Sequence, residues 1–167
     1  MTKLKLPKEG YYVDIGCGWP EMNSNTAFLR KRGWSGLCVD ANPRYAPEWK
    51  GIEKFICTVI GSGEKMPFTY SGIPELSHLG EGQLVQTVTL ESLLEDVPKI
   101  DLISCDAEGS EFDILSQLDW QKYRPKVVIA EYSTHNVGED FRVRDMLLPM
   151  GYQAAHQTKA NIIYVWP

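Results

Sequence analysis

A glycine turn between acidic residues is the first feature of this 167-residue sequence that could do chemistry. In the run YYVDIGCGWPE, Asp14 precedes Gly16 and Gly18, and Glu21 follows the turn. A dinucleotide fingerprint needs a third glycine at the position of Glu21, and the P-loop pattern is absent. Carboxylates would also repel a pyrophosphate. The turn therefore favours a cationic ligand without phosphate, such as S-adenosylmethionine, whose ammonium Asp14 could hold directly or through water. A plain tight turn without a ligand is the alternative.

Asp40 is a second candidate contact for such a ligand. It ends the apolar run GLCVD, 26 residues after Asp14 (40 − 14). An acid at that place can accept both hydroxyls of a ribose, in sites for NAD as well as for S-adenosylmethionine. An aspartate before ANP can also be a turn or N-cap residue.

Candidates for a general base follow two later apolar runs. Asp106 and Glu108 come directly after LISC, and His135 follows KVVIAEY. A hydroxyl nucleophile benefits from a base, and the unperturbed pKa of histidine suits that work near neutral pH. His135 is also consistent with a loop residue that has no role, and Glu131 could face the site or pair with an arginine. We predict no metal site, because no ligand spacing requires Mg²⁺.

An alternation of apolar runs and amphipathic segments must position these residues. We predict strands at 11–15, near 36–40, near 53–60, near 100–105, over KVVIAEY and, as a pair, after Gly151. We predict helices from a cap at Asn23 or Ser24 to Arg32, over 90–97, from a capping box of Ser110 and Asp113 through Leu118, and over 139–149. This alternation indicates a doubly wound, mostly parallel α/β sheet covered on both faces. The last two strands, joined by a tight turn, must be antiparallel.

Composition narrows the possible functions. The net charge of −5 argues against a nucleic-acid-binding surface. No apolar stretch approaches the roughly 20 residues of a membrane helix, and the first ten residues lack the apolar region of a secretory signal. We therefore expect a cytoplasmic protein of one domain without a membrane span. Residues 1–10 form a short extension in this prediction. Residues 61–82, rich in Gly, Pro and Ser, form a loop with at most one hairpin and are the best candidate for a lid.

Three longer stretches resemble the FkbM-type S-adenosylmethionine-dependent methyltransferases. They are SNTAFLRKRGWSGLCVDANP, TLESLL and IDLISCDAEGSEFDILSQLD, followed by PKVVIAEY. The third is the most specific, because Asp106, Glu108, Gly109 and Glu111 match the family's acid-Gly-x-Glu signature. The resemblance implies the Rossmann-like class I methyltransferase fold and S-adenosylmethionine as the cofactor.

The resemblance also implies roles for individual residues. Asp14, Gly16 and Gly18 would line the methionine moiety, Ser24 and Asn25 would supply a polar pair, Asp40 would take the ribose, Thr58 and Val59 would border the adenine, and Cys17 and Ala41 complete the cofactor-binding set. Asp106 would lie closest to the sulfonium and the methyl acceptor.

The implied reaction is methyl transfer to a hydroxyl of a sugar, a glycan or a related small molecule, with Asp106, Glu108 or His135 as the base. Two other functions stay open. One is a nicotinamide-dependent oxidoreductase on a similar sheet, and the other is a binding module that keeps the cofactor fold without catalysis. The pair Trp19-Pro20 departs from the permissive residues usual in this turn, and the oligomeric state stays open.

Overall fold

The computed structural model describes residues 6–132 and 137–167. Its strands are β1 (Tyr11–Ile15), β2 (Ser35–Asp40), β3 (Lys54–Cys57), β4 (Val59–Ile60), β5 (Lys65–Thr69), β6 (His78–Leu79), β7 (Gln83–Val88), β8 (Leu102–Cys105), β9 (Val127–Glu131), β10 (Gln153–Gln157) and β11 (Asn161–Val165). Its α-helices are α1 (Ala27–Arg30), α2 (Ala46–Trp49), α3 (Leu90–Leu93), α4 (Glu111–Leu115) and α5 (Val137–Leu147), and 3₁₀ turns cover Pro43–Tyr45 and Pro74–Leu76.

Seven strands form the main sheet, in the order β10-β11-β9-β8-β1-β2-β3. β1 pairs in parallel with both β2 and β8, so the chain first moves outward from β1 and later returns to its other side. The strand order therefore reverses between β1 and β8, and such a switch point opens a crevice at the carboxyl ends of the two strands. β11 is antiparallel to β9 and to β10, which confirms the predicted antiparallel pair at the end of the chain.

Side chains alternate between the two faces of the main sheet, and each face is covered. In β1, Val13 and Ile15 pack with α3, α4 and α5 in one buried cluster. Tyr12 belongs to a second cluster, on the opposite face, that includes Leu29 of α1 and Trp49 of α2. Asp14 shares the face of Tyr12, because strand side chains have a period of two.

A second, smaller sheet has the order β4-β7-β5-β6. The strand predicted near 53–60 breaks at Thr58, and its last two residues pair in parallel with β7 (Val59 with Thr87, Ile60 with Val88). The segment 61–82, predicted as a loop with one short hairpin, contains that hairpin: β5 and β6 pair antiparallel, with a 3₁₀ turn between them. Its strands are short and half-exposed, so their sequence lacks the apolar alternation that reveals a strand.

Three helices, α1, α3 and α4, are shorter than predicted, whereas α5 has the predicted length. α1 covers four residues, although Ser24 Oγ accepts the backbone N–H of Ala27 at 3.0 Å as an N-cap would. The predicted capping box at α4 does not form, because the Ser110 side chain makes no capping hydrogen bond. Glu111 Oε1 instead accepts the N–H groups of Ala107 (2.7 Å) and Gly109 (3.2 Å). In the part of the chain that the structure describes, no helix is long and apolar enough to cross a membrane.

Candidate functional site

A cavity of about 470 Å³ lies at the carboxyl ends of β1, β2, β8 and β9, and the small sheet closes one side of it. This size is within the range of small-molecule sites. The cavity brings together eight of the predicted cofactor-binding residues: Gly16, Cys17, Gly18, Asp40, Ala41, Thr58, Val59 and Asp106. The crevice predicted from the strand order is therefore a formed pocket.

The two glycines of the turn have different tasks. Gly16 has φ +69°, and a Cβ there would lie 1.6 Å from the backbone oxygen of Asp106. Gly16 thus lets the ends of β1 and β8 approach each other, rather than making room for a ligand. Gly18 has φ +54°, and a Cβ there would meet nothing within 4 Å, so its conformation alone requires glycine.

Asp40 both fixes the turn and faces the cavity. Its Oδ2 accepts the N–H of Gly18 at 2.9 Å, and its Oδ1 accepts the N–H of Asn42 at 2.8 Å. Burial raises the pKa of Asp40, and these backbone hydrogen bonds oppose the rise. Because each carboxylate oxygen can accept a second hydrogen bond, the group can hold the turn and still accept ribose hydroxyls.

Asp14 lies beneath the turn instead of in the cavity wall. It is 2% exposed and accepts the hydroxyl of Thr26 at 2.6 Å. Burial raises the pKa of Asp14 to about 6, although hydrogen bonds from Thr26 and Ser104 oppose the rise. Neither Ser24 nor Asn25 lines the cavity: Ser24 Oγ accepts the N–H of Ala27 at the start of α1, and Asn25 Nδ2 donates to Ser104 Oγ at 3.2 Å. The strand period turns Asp14 toward α1, so its contact with a ligand ammonium stays a prediction.

Three carboxyl groups meet at the other end of the cavity. Asp106 and Glu108 follow β8, Glu131 ends the neighbouring β9, and one oxygen of each lies within 4.8 Å of the others. Burial and then the charge of Glu111 raise the pKa of Asp106, while a hydrogen bond with Glu131 opposes the rise. Burial, Asp106 and Glu108 raise the pKa of Glu131, because neighbouring carboxyl groups disfavour each other's charge.

Glu108 is the member of this cluster whose pKa lies nearest to neutrality. Burial, Asp106 and Glu111 raise it to about 7, and His78 opposes the rise. The backbone of Glu108 has φ +50°, a conformation that favours glycine. The three oxygens are close enough to hold a divalent cation.

Trp19 and Pro20 connect the glycine turn to its surroundings. Trp19 lines the cavity, and its Nε1 donates to Glu75 Oε1 of the small sheet's 3₁₀ turn at 3.2 Å. Its ring meets the Tyr45 ring edge-on, with centroids 5.0 Å apart. The Pro20 carbonyl accepts a hydrogen bond from Arg30 of α1. Trp19 and Pro20 therefore connect the glycine turn to the small sheet and to α1.

Comparison with known proteins identifies the family of the chain that carries this site. The family model of the methyltransferase FkbM domain matches residues 12–154. The chain belongs to the FkbM methyltransferase family. No curated protein matches the sequence closely enough to count as a relative.

Solved structures resemble this FkbM chain in fold. The precorrin-6y C5,15-methyltransferase of Geobacter metallireducens has a TM-score of 0.53 at 14% identity, over 99% of this chain and 85% of its own. The pre-rRNA processing protein fibrillarin of Methanococcus jannaschii has a TM-score of 0.56 at 11% identity, over 98% and 70%. The C-terminal domain of the Rhodobacter capsulatus precorrin-6Y enzyme has a TM-score of 0.51 at 12% identity, over 98% and 82%. At these identities the likeness shows the fold, a class I methyltransferase sheet.

Sequence reasoning missed several residues of this FkbM site. Trp19, Tyr45, Glu75 and His78 all line the cavity, but the last two lie in a segment without a recognisable pattern. For Glu131 the sequence left two roles open, facing the site or pairing with an arginine, and the structure places it in the cavity lining. His135 lies outside the described residues, so its role as a base stays a prediction.

Proposed function

We propose that this FkbM-family chain transfers a methyl group from S-adenosylmethionine to a hydroxyl oxygen of a sugar, a glycan or a related small molecule. The charge of the cavity carries the proposal. Its described lining includes five acids and neither lysine nor arginine: Asp40, Glu75, Asp106, Glu108 and Glu131. Such a wall repels phosphate and attracts a cation.

The lining residues fit the parts of this cofactor. Asp40 is available to the ribose hydroxyls, Thr58 and Val59 border the adenine, and the turn at Gly18 borders the methionine moiety. Asp106 is the acid assigned to the sulfonium. S-adenosylmethionine, when bound, supplies a methyl group activated by the positive charge on its sulfur.

The chain's own contribution is to position the acceptor and to take its proton. An in-line displacement depends mainly on holding the nucleophile against the methyl carbon. A base works best when its pKa lies near the working pH, and Glu108, with a pKa of about 7, fits that condition. Glu108 therefore accepts the hydroxyl proton in this proposal. His135 stays an alternative base.

Two alternatives differ in what they bind or produce. A nicotinamide oxidoreductase would have to place a pyrophosphate against the acidic wall. A binding module would hold the cofactor without turnover.

Calorimetry and thermal unfolding with S-adenosylhomocysteine and with NAD separate the first alternative from the proposal. We expect stabilisation by S-adenosylhomocysteine and none by NAD, and stabilisation by NAD alone would contradict the proposal. Incubation with tritiated S-adenosylmethionine and a panel of sugars and lipid-linked glycans then tests catalysis. Cofactor binding without a labelled product on any acceptor would favour the binding module.

A further inference from the structure

Glu111 is a buried acid that lies behind the cavity wall. It begins α4, is 5% exposed and does not line the cavity, although Ala107 and Glu108 both do. A carboxylate removed from water needs hydrogen-bond partners, because an unpaired buried charge costs much free energy. Oε1 of Glu111 has two partners, since it accepts the N–H of Ala107 at 2.7 Å and that of Gly109 at 3.2 Å. These two N–H groups flank Glu108 in the chain.

The backbone between these two hydrogen bonds has an unusual conformation. Glu108 has φ +50° and Gly109 has φ +96°, so the chain passes through two left-handed residues in succession. This conformation is strained for a residue with a Cβ, and it persists only where surrounding contacts hold it. Hydrogen bonds to a charged acceptor are stronger than those to a neutral one, so the Glu111 carboxylate is well suited to hold this turn.

Glu111 also connects this turn to the neighbouring strand. Glu131 ends β9 and lines the cavity beside Glu108. Burial, the charges of the nearby acids and a hydrogen bond with the Glu111 side chain raise the pKa of Glu131. Glu111 therefore lies behind both of the strand ends that bring acids to this end of the cavity.

The position of Glu111 at the start of a helix does not explain its burial. An acid in the first turn favours the helix dipole, and α4 has two such acids, Glu111 and Asp113. The Asp113 side chain is 68% exposed and forms an ion pair with Arg142 at 3.3 Å. An exposed acid is thus sufficient for the dipole, whereas Glu111 exchanges water for contacts with the turn that carries Glu108.

We propose that Glu111 is a positioning residue for methyl transfer, whose carboxylate fixes the turn at 107–109 and thereby holds Glu108 where it can accept the hydroxyl proton. This inference rests on the proposed function and deepens it by naming the residue that orients the base. A base contributes only within hydrogen-bond reach of the proton that it takes. Release of the turn should therefore lower the rate of methyl transfer and leave the cofactor affinity unchanged.

Amide hydrogen exchange of Ala107 and Gly109, followed by NMR, tests the contact without any substrate. We expect both amides to exchange about 10-fold faster or more in Glu111→Ala, as the loss of a hydrogen bond to a charged group predicts. Glu111→Gln should exchange more like the wild type, because its amide oxygen can accept the same two N–H groups. If Glu111→Ala does not fold, Glu111→Asp gives the same test, since it keeps the charge and shortens its reach. Unchanged exchange of both amides would overturn the inference.

The rate of methyl transfer from tritiated S-adenosylmethionine to the sugars and lipid-linked glycans of the panel tests the consequence. Glu111→Ala should lower this rate by roughly 10²-fold, and Glu111→Gln should restore most of it. Calorimetry should show the same affinity for S-adenosylhomocysteine in all three proteins. In a Glu108→Gln background, Glu111→Ala should lower the rate little further, because residues that act as a unit are not additive. A residue that only supports the fold would lower the rate equally in both backgrounds.

Asp113→Ala is the matched control, because it removes the other acid of the same helical turn, which is exposed and does not line the cavity. It should leave the exchange, the affinity and the rate unchanged. A full rate in Glu111→Ala, or an equal further loss in the Glu108→Gln background, would overturn the inference and leave the proposed function intact. If the wild type binds no S-adenosylhomocysteine or labels no acceptor, the proposed function fails and this inference fails with it.

Discussion

Replacing Asp14 with asparagine should stabilise the unliganded protein at neutral pH and have little effect in acid. The pKa of Asp14 is raised to about 6 in the folded protein, against about 3.9 in an unfolded chain. The folded state therefore binds more protons than the unfolded state between these values, so the free energy of unfolding falls as the pH rises through this window. Above this pH window the buried Asp14 is fully ionised, and its ionisation lowers the free energy of unfolding by the full amount.

The size of the effect follows from the two pKa values. Their separation corresponds to a cost of about 3 kcal/mol at pH 7.5 and about 1 kcal/mol at pH 4.5. An amide satisfies the hydroxyls of Thr26 and Ser104 less well than a carboxylate, which costs about 1 kcal/mol at either pH. We therefore expect Asp14→Asn to gain about 2 kcal/mol at pH 7.5 and about 0 kcal/mol at pH 4.5.

Urea unfolding of wild type and Asp14→Asn at both pH values measures this difference. Asp96→Asn, a change at an exposed acid, is the control and should leave the pH dependence unchanged. Parallel pH curves for Asp14→Asn and wild type would refute the reasoning. The same variant also tests the predicted contact between Asp14 and the ligand ammonium. An unchanged affinity for S-adenosylhomocysteine would show that Asp14 only supports the turn. A large loss of affinity would show that Asp14 contacts the ligand.

Three further outcomes test the site. Gly16→Ala should destabilise the protein by about 3 kcal/mol or more in urea unfolding, because strain and overlap with the Asp106 carbonyl add. Gly18→Ala should cost only about 1 kcal/mol of strain, and equal losses would contradict the different tasks of the two glycines. Asp40→Ala should weaken S-adenosylhomocysteine binding by about 1–3 kcal/mol in calorimetry, and unchanged affinity would make Asp40 a turn residue only. Once an acceptor is known, the rate of methyl transfer should rise with pH through about 7 as Glu108 loses its proton. Glu108→Gln should reduce this rate by about 10²-fold or more and remove the rise. A wild-type pH profile in the variant would exclude Glu108 as the base.

The sequence predicts the main sheet well, because its central strands are buried on both faces and read as continuous apolar runs. The end of such a run also locates the residue that faces the crevice, which is why Asp40 and Asp106 were found. Asp14 shows the limit of this argument. It lies one residue inside the end of β1, where the strand period decides its direction.

The small sheet and its contacts lie beyond what local pattern can predict. The extended run near 53–60 is divided at Thr58 between the main sheet and the small sheet, and no residue type in the run predicts this division. The bond between Trp19 and Glu75 joins positions 56 residues apart. The capping box at Ser110 fails because Glu111 offers the loop a carboxylate that binds two N–H groups at once.

The parallel pairing of β4 with β7 makes the small sheet a removable module. The chain leaves the main sheet at Thr58, and it returns from the small sheet at Val88, which is paired with Ile60 and whose carbonyl accepts the N–H of Gly61 at 2.8 Å. Paired strands lie about 4.8 Å apart, so a connection of a few residues from Ile60 to Thr89 would bypass the intervening segment. Such a shortened chain keeps every strand of the main sheet, and other segments could be grafted at the same two points to build a different wall for the cavity.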